Sequence, residues 1–204
     1  MPRVIPVTSS SGPDGDDGRA AADPEPPIGQ SGVGLAVDVV HEDGDWGALP
    51  GVAAAVRAAS AEVARALSLS ASEACIALSS DAEVASLNAA YRGKPAPTNV
   101  LSFPAGYVAG PKPPRRFLGD VILAAETVTR EAADLNLPLE HHVQHLVVHG
   151  LLHLAGYDHE SDEEAQAMEA LEVRILARLG IANPYEAAEE PGAACGHQRG
   201  PARP

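Results

Sequence analysis

Three histidines in the second half of the chain have the spacing of a metal site. His149 and His153 are four residues apart in the segment HGLLHLAGYDH (149–159). On a helix, side chains at this spacing leave the same face one turn apart, so the two imidazoles can share a metal ion. Gly156 predicts the end of the helix, and His159 follows as a third ligand. Three protein ligands and a water are the usual catalytic zinc arrangement, so the segment predicts one zinc ion and hydrolytic chemistry.

The spacing H-x-x-x-H-x-x-G-x-x-H equals that of the metzincin peptidases, with one departure. Gly150 stands where those peptidases carry their general-base glutamate. This disfavours an ordinary zinc-peptidase mechanism, although a metal alone lowers the pKa of its bound water to about 7. A metal-dependent hydrolase of peptides or small molecules is therefore kept as an alternative.

Other polar residues near the motif have more than one interpretation. Asp158 can orient a ligand imidazole by accepting its N–H, or it can accept from the backbone of its own turn. His145 is expected to be a hydrogen-bonded partner near the core rather than a fourth ligand, and His141 and His142 are expected to face solvent. A fourth ligand from His145 or Asp158 would instead favour a structural zinc.

The elements that position the motif follow from hydrophobic periodicity. Short apolar runs predict strands at 34–40, 74–80, 99–103 and 118–126. Helices are predicted after Pro50, after a cap at Asp81, and at 127–135, 138–155 and 162–179, the last with a capping box of Ser161 and Glu164. A polar loop is predicted from Tyr91. The helix with the two histidines carries one apolar stripe, made of Val143, Leu146, Val147, Gly150, Leu151 and Leu154. The mixture predicts an α+β fold, with helices covering a central mixed sheet of about four strands.

Composition sets the limits of the folded domain and its surroundings. Residues 1–33 and 186–204 are rich in Gly, Pro and small or polar residues, so both are predicted to be disordered around a domain at 34–185. The chain has no apolar run long enough for a membrane span, no apolar secretory core at its start and only two cysteines. These features predict a cytoplasmic protein without a membrane partner.

The net charge of −14 argues against broad, non-specific adhesion to nucleic acid, which needs many contacts from Lys and Arg to phosphates. It leaves room for a local basic cleft, because a ligand responds to the field of the cleft more than to the total charge.

Three ordered blocks, YRGKPAPTNVLSFP (91–104), LGDVILAAE (118–126) and the histidine segment, resemble the YbeY family of bacterial endoribonucleases and rRNA maturation factors over about residues 35–185. The resemblance implies a zincin-like fold, distantly related to zinc peptidases, with zinc on His149, His153 and His159. It also implies single-strand-specific processing of ribosomal RNA, notably maturation of the small-subunit 3′ end, and a role in ribosome quality control. The implied partners are ribosomal RNA and the ribosome or its small subunit. By position, Arg92 matches the family's functionally important arginine.

Arg92 also has a chemical role that does not depend on the resemblance. RNA cleavage builds negative charge on phosphate oxygens, which a guanidinium can bind in two places. Lys94 can bind an adjacent phosphate, and Lys112, Arg115 and Arg116 can extend the track. The alternative for Arg92 is a structural ion pair, and the alternative for Lys112, Arg115 and Arg116 is a solvated loop. In RNA cleavage, the attacking group is either a metal-activated water or the 2′-OH of the RNA. A further hypothesis for the function of the protein is a ribosome-assembly factor with structural zinc.

Overall fold

A mixed four-stranded sheet forms the centre of the fold, as predicted. The computed structural model describes residues 34–48, 51–106 and 115–186. The strand order is β1-β2-β4-β3, in which β1, β2 and β4 run parallel and β3 pairs antiparallel with β4. The strands are β1 (Leu35–His41), β2 (Ser72–Ser79), β3 (Val100–Pro104) and β4 (Arg116–Ala124). The predictions for residues 1–33, for Lys112 and for the chain after 186 lie outside the described residues.

Helices cover both faces of the sheet. The described helices are α1 (Val52–Ala66), α2 (Asp81–Arg92), α3 (Ala125–Asp134), α4 (Leu139–Leu154) and α5 (Asp162–Arg178). The main core joins one face of the sheet to α1, α3, α4 and α5, while a smaller cluster joins the other face to α2. Among the described residues, no helix combines the length and the apolar character that crossing a bilayer requires.

Helix α4 lies at the centre of this arrangement, in contact with α1, α3, α5 and strands β3 and β4. Its predicted apolar stripe is confirmed, because all six members are buried. The predicted capping box is also present: the Ser161 hydroxyl accepts from the Glu164 backbone N–H, and the Glu164 carboxylate accepts from Ser161 in return. The sequence therefore placed both helices around the histidine segment correctly.

Three local predictions were wrong. Ser80, not Asp81, caps α2, because the Asp81 carboxylate is engaged by the backbone and hydroxyl of Thr127. The helix also extends through Arg92, so Tyr91 and Arg92 lie in its last turn rather than in a loop. His142 does not face solvent. It is 5% exposed, and its Nε2 lies 2.9 Å from the Glu131 carboxylate.

Candidate metal centre

The structure brings His149, His153 and His159 together at the end of α4. One potential ligand atom from each ring lies within 4.8 Å of the other two. The Nε2 atoms of His149 and His153 are 3.0 Å apart. Two ligands of a tetrahedral zinc with bonds of 2.0–2.1 Å lie about 3.3 Å apart, so the spacing suits that ion. Among the described residues, this cluster contains the three histidines alone.

The turn after α4 positions the third histidine. Gly156 has a φ of +96°, a left-handed conformation that favours glycine. Its N–H donates to the His153 carbonyl, and the next N–H, of Tyr157, donates to the Leu152 carbonyl, both at 3.0 Å. This is the Schellman pattern of a helix C-terminus. The reversed chain then carries His159 back to the rings on the helix.

Hydrogen bonds fix the orientation of two imidazoles. His149 Nδ1 lies 2.8 Å from the Glu172 carboxylate, and His153 Nδ1 lies 3.0 Å from the Tyr157 carbonyl. Because both partners are acceptors, each Nδ1 carries the hydrogen and each Nε2 presents a lone pair. Burial, followed by the neighbouring His149 and His159, lowers the pKa of His153 and favours its neutral form. Two facing lone pairs repel unless a cation lies between them, so the residues fit a metal ion.

Glu172 was missed by the sequence reasoning. It lies on α5 with 0% exposure, and it accepts hydrogen bonds from His149 Nδ1 and the Tyr185 hydroxyl. Burial acts to raise the pKa of Glu172, but the hydrogen bonds from His149 and Tyr185 and the nearby histidines outweigh it and lower the pKa. The carboxylate is therefore ionised. A signal was present in the sequence, because Glu172 interrupts an apolar stripe with Met168, Leu171 and Ile175 at helical spacing.

The other residues near the motif have distinct positions. The Asp158 carboxylate accepts from the His159 backbone N–H at 2.8 Å and lies 3.9 Å from His153 Nδ1, whose hydrogen bond goes to the Tyr157 carbonyl instead. His145 Nε2 lies 4.0 Å from Glu172, outside the cluster of three rings. Asp158 thus makes the turn contact, and His145 lies beside the carboxylate that contacts His149.

The histidines open onto a cleft of about 700 Å³ that Arg92, Arg116 and Tyr157 also line. The Arg92 guanidinium is 3.5 Å from the Ser102 carbonyl. Among the described residues it has no carboxylate within ion-pair distance, so its charge is available to a ligand. Arg116 comes from the start of β4, the strand next to β3. Lys94 and Arg115 are exposed and do not line the cleft.

Gly150 has a packing role that explains the missing glutamate. A Cβ at this position would lie 2.6 Å from Val121 Cγ1 and 3.1 Å from Ser102 Oγ. Helix α4 therefore lies directly on strands β3 and β4, and a larger side chain at this position would have to displace Val121 or move the helix. The general base of the metzincin motif has no room in this fold.

Comparison with known proteins agrees with the resemblance of the three blocks to the YbeY family. A family model described as Endoribonuclease YbeY matches residues 51–180, more than half of the chain. This chain belongs to the YbeY family. The Endoribonuclease YbeY of Parvibaculum lavamentivorans is 48% identical over 166 residues, covering 78% of this chain and 89% of that protein. The Endoribonuclease YbeY of Maricaulis maris is 46% identical over 158 residues, covering 77% of this chain and 95% of that protein.

Among YbeY relatives, the Endoribonuclease YbeY of Sinorhizobium medicae is 52% identical over 119 residues, covering 58% of this chain and 71% of that protein. Among solved structures, the solution structure of TM1509 from Thermotoga maritima is similar at a TM-score of 0.43 with 23% identity, covering 74% of this chain and 99% of that one. The YbeY assignment rests on these relatives and on the family model, whose matched residues 51–180 span all three blocks.

Proposed function

We propose that this protein is a zinc-dependent, single-strand-specific endoribonuclease that processes ribosomal RNA. Its proposed tasks are maturation of the small-subunit rRNA 3′ end and ribosome quality control, with the ribosome or its small subunit as partner. The main support is the convergence of three imidazoles and two arginines on one cleft. Membership of a family whose relatives are named endoribonucleases supports the same proposal.

In the proposed site, His149, His153 and His159 hold one zinc ion per chain. When bound, zinc supplies Lewis-acid chemistry at a phosphate oxygen and lowers the pKa of water. The chain's own residues position the substrate. Arg92 binds two oxygens of the phosphate that gains charge during cleavage, and Arg116 binds a phosphate further along the strand. Lys94 and Arg115 lie outside the cleft, so they attract RNA towards it without binding the phosphate that is cleaved.

The size of the cleft and the net charge of the chain favour a short stretch of unpaired RNA. Its volume of about 700 Å³ lies in the usual range of small-ligand pockets, which accommodates a few unpaired nucleotides rather than a duplex. The net charge of −14 makes the rest of the surface unfavourable for a long polyanion. Recruitment therefore depends on partners at the ribosome, and affinity for bare RNA is modest.

The proposal is tested with zinc-loaded protein and four substrates. These are a single-stranded RNA carrying the small-subunit 3′ precursor sequence, the same RNA in a duplex, the RNA with 2′-deoxyribose at the cleaved nucleotide, and a peptide library. Cleavage of the unmodified single-stranded RNA, but not of the duplex or the peptides, is expected. Loss of cleavage on 2′-deoxy substitution would assign the attack to the 2′-OH, and retained cleavage would assign it to water. Peptide turnover without RNA cleavage would contradict the proposal.

A further inference from the structure

We propose that Glu172 is a positioning residue for the metal centre and that Tyr185 holds it in place, so that the segment after α5 sets metal affinity from outside the cleft. This inference rests on the zinc site proposed above. Neither residue lines the cleft, so neither can act on the RNA directly. Any effect on the metal must pass through His149.

The contacts of Glu172 account for the positioning. One carboxylate oxygen, Oε1, lies 2.8 Å from His149 Nδ1, and the other, Oε2, accepts a hydrogen bond from the Tyr185 hydroxyl. The Glu172 side chain is 1% exposed, so water does not replace either contact. A buried carboxylate on Nδ1 selects the tautomer with Nε2 free and prevents rotation of the ring. Partners of this kind typically contribute tenfold to hundredfold in metal affinity.

Tyr185 is held in position by its own surroundings. Its backbone N–H donates to the Asn183 side-chain oxygen at 3.0 Å, which forms an Asx turn after α5. Its ring packs edge-on against His145 with the ring centroids 6.2 Å apart. Burial and then the Glu172 carboxylate raise the pKa of the phenol, so it remains a hydrogen-bond donor. The hydroxyl therefore fixes the second oxygen of Glu172 while the first contacts His149.

The chain offers a matched control for each substitution. Glu131, on α3, makes a similar contact with another histidine of α4: its carboxylate lies 2.9 Å from Nε2 of the buried His142, which is not in the cleft. Glu131→Gln therefore removes an imidazole partner away from the metal site. Tyr91 is 68% exposed and packs edge-on against Phe103, so Tyr91→Phe removes a hydroxyl elsewhere.

The test measures the zinc dissociation constant by competition with a chromogenic chelator. Glu172→Gln, which keeps the shape but removes the charge, is expected to weaken zinc binding tenfold to hundredfold. Tyr185→Phe is expected to weaken it severalfold, and Glu131→Gln and Tyr91→Phe are expected to leave it within twofold. The ¹⁵N shifts of His149 in the metal-free protein should show one tautomer in the native chain and a mixture in Glu172→Gln.

The outcomes separate this inference from the proposed function. Native zinc affinity in both Glu172→Gln and Tyr185→Phe, with an unchanged His149 tautomer, would overturn the inference while leaving the zinc enzyme intact. A native protein that binds no zinc would overturn the proposed function first. If Glu172→Gln does not fold, Tyr185→Phe decides the matter, because it removes only one hydroxyl from a partly exposed ring.

Discussion

The three clustered histidines differ in how firmly the protein holds them. His149 is held by a buried carboxylate and His153 by a backbone carbonyl, and both rings come from a regular helix. His159 is exposed and follows the turn at Gly156. We expect the two helical imidazoles to be positioned before metal arrives, and the third to adjust when the ion binds.

Replacing Arg92 should separate catalysis from metal binding. The guanidinium lines the cleft without a carboxylate partner among the described residues, so its loss removes positive charge where phosphate charge develops. Arg92→Ala is expected to reduce the cleavage rate by about 100-fold to 1,000-fold and to leave zinc content unchanged. The measurements are single-turnover RNA cleavage and metal content by mass spectrometry. Arg57→Ala, on the exposed side of α1, is the matched control, and equal losses in both variants would contradict the assigned role.

Sequence predicted the part of the site that is local in the chain. The histidine segment contains its own helix, turn and third imidazole, so spacing alone predicts their convergence. Glu172 reaches the same site from another helix, and Arg116 reaches it from the start of β4, where it pairs with Ser72 of β2. Those contacts depend on how elements pack, which residue spacing does not specify. The metal ligands and the catalytic role of Arg92 stay predictions until the variants are measured.

At the scale of elements, the close contact between α4 and the sheet positions the metal site. Periodicity predicted the buried face of α4 because its stripe is long and regular. It failed at the boundary of α2, where Ser80 and Asp81 are both good caps and a contact to Thr127 from α3 decides between them. Tertiary contacts of this kind also explain why His142 is buried beside Glu131.

Gly150→Ala tests the helix–sheet contact. The added Cβ would meet Val121 at 2.6 Å, and overpacking of this kind costs about 1–3 kcal/mol in the free energy of unfolding. Gly106→Ala is the control, because a Cβ there has no neighbour within 4 Å. Urea denaturation gives the values, and combining Gly150→Ala with Val121→Ala should restore part of the loss. Unchanged stability in Gly150→Ala would show that the helix lies further from the sheet.

At the scale of the whole molecule, partly buried histidines make stability depend on pH. Burial lowers the pKa of His145 and His153 in the folded chain. As pH falls through 6.5, these histidines become protonated in the unfolded chain but stay neutral in the folded chain. The unfolded state then binds more protons, so the free energy of unfolding decreases. The lowered pKa of Glu172 acts only below its ordinary value of 4.5. The free energy of unfolding of the metal-free protein should therefore fall between pH 7 and 5.

Urea denaturation at several pH values measures this decline, and replacing both His145 and His153 with Gln should flatten it. A free energy of unfolding that stays constant or rises towards pH 5 would contradict the effect assigned to the partial burial of these rings.

The acidic body and the presence of only two arginines among the described residues that line the cleft predict weak salt dependence of RNA binding. Two arginines line the cleft, and about two phosphate contacts to a single strand give a slope near −1.4 for log affinity against log salt. Arg92→Ala and Arg116→Ala should each reduce the magnitude of this slope by about 0.7. Filter binding of single-stranded RNA at several salt concentrations measures the change. A much steeper slope would indicate a wider phosphate track than the cleft contains.

The most direct test of the central claim is a zinc titration of RNA cleavage. Metal-free native protein should gain activity in proportion to added zinc and reach its maximum at one ion per chain. His153→Ala, which removes one of the three clustered imidazoles, should bind zinc much more weakly and remain inactive at that concentration. Full cleavage by the metal-free protein, or by His153→Ala, would contradict a metal centre built on these histidines.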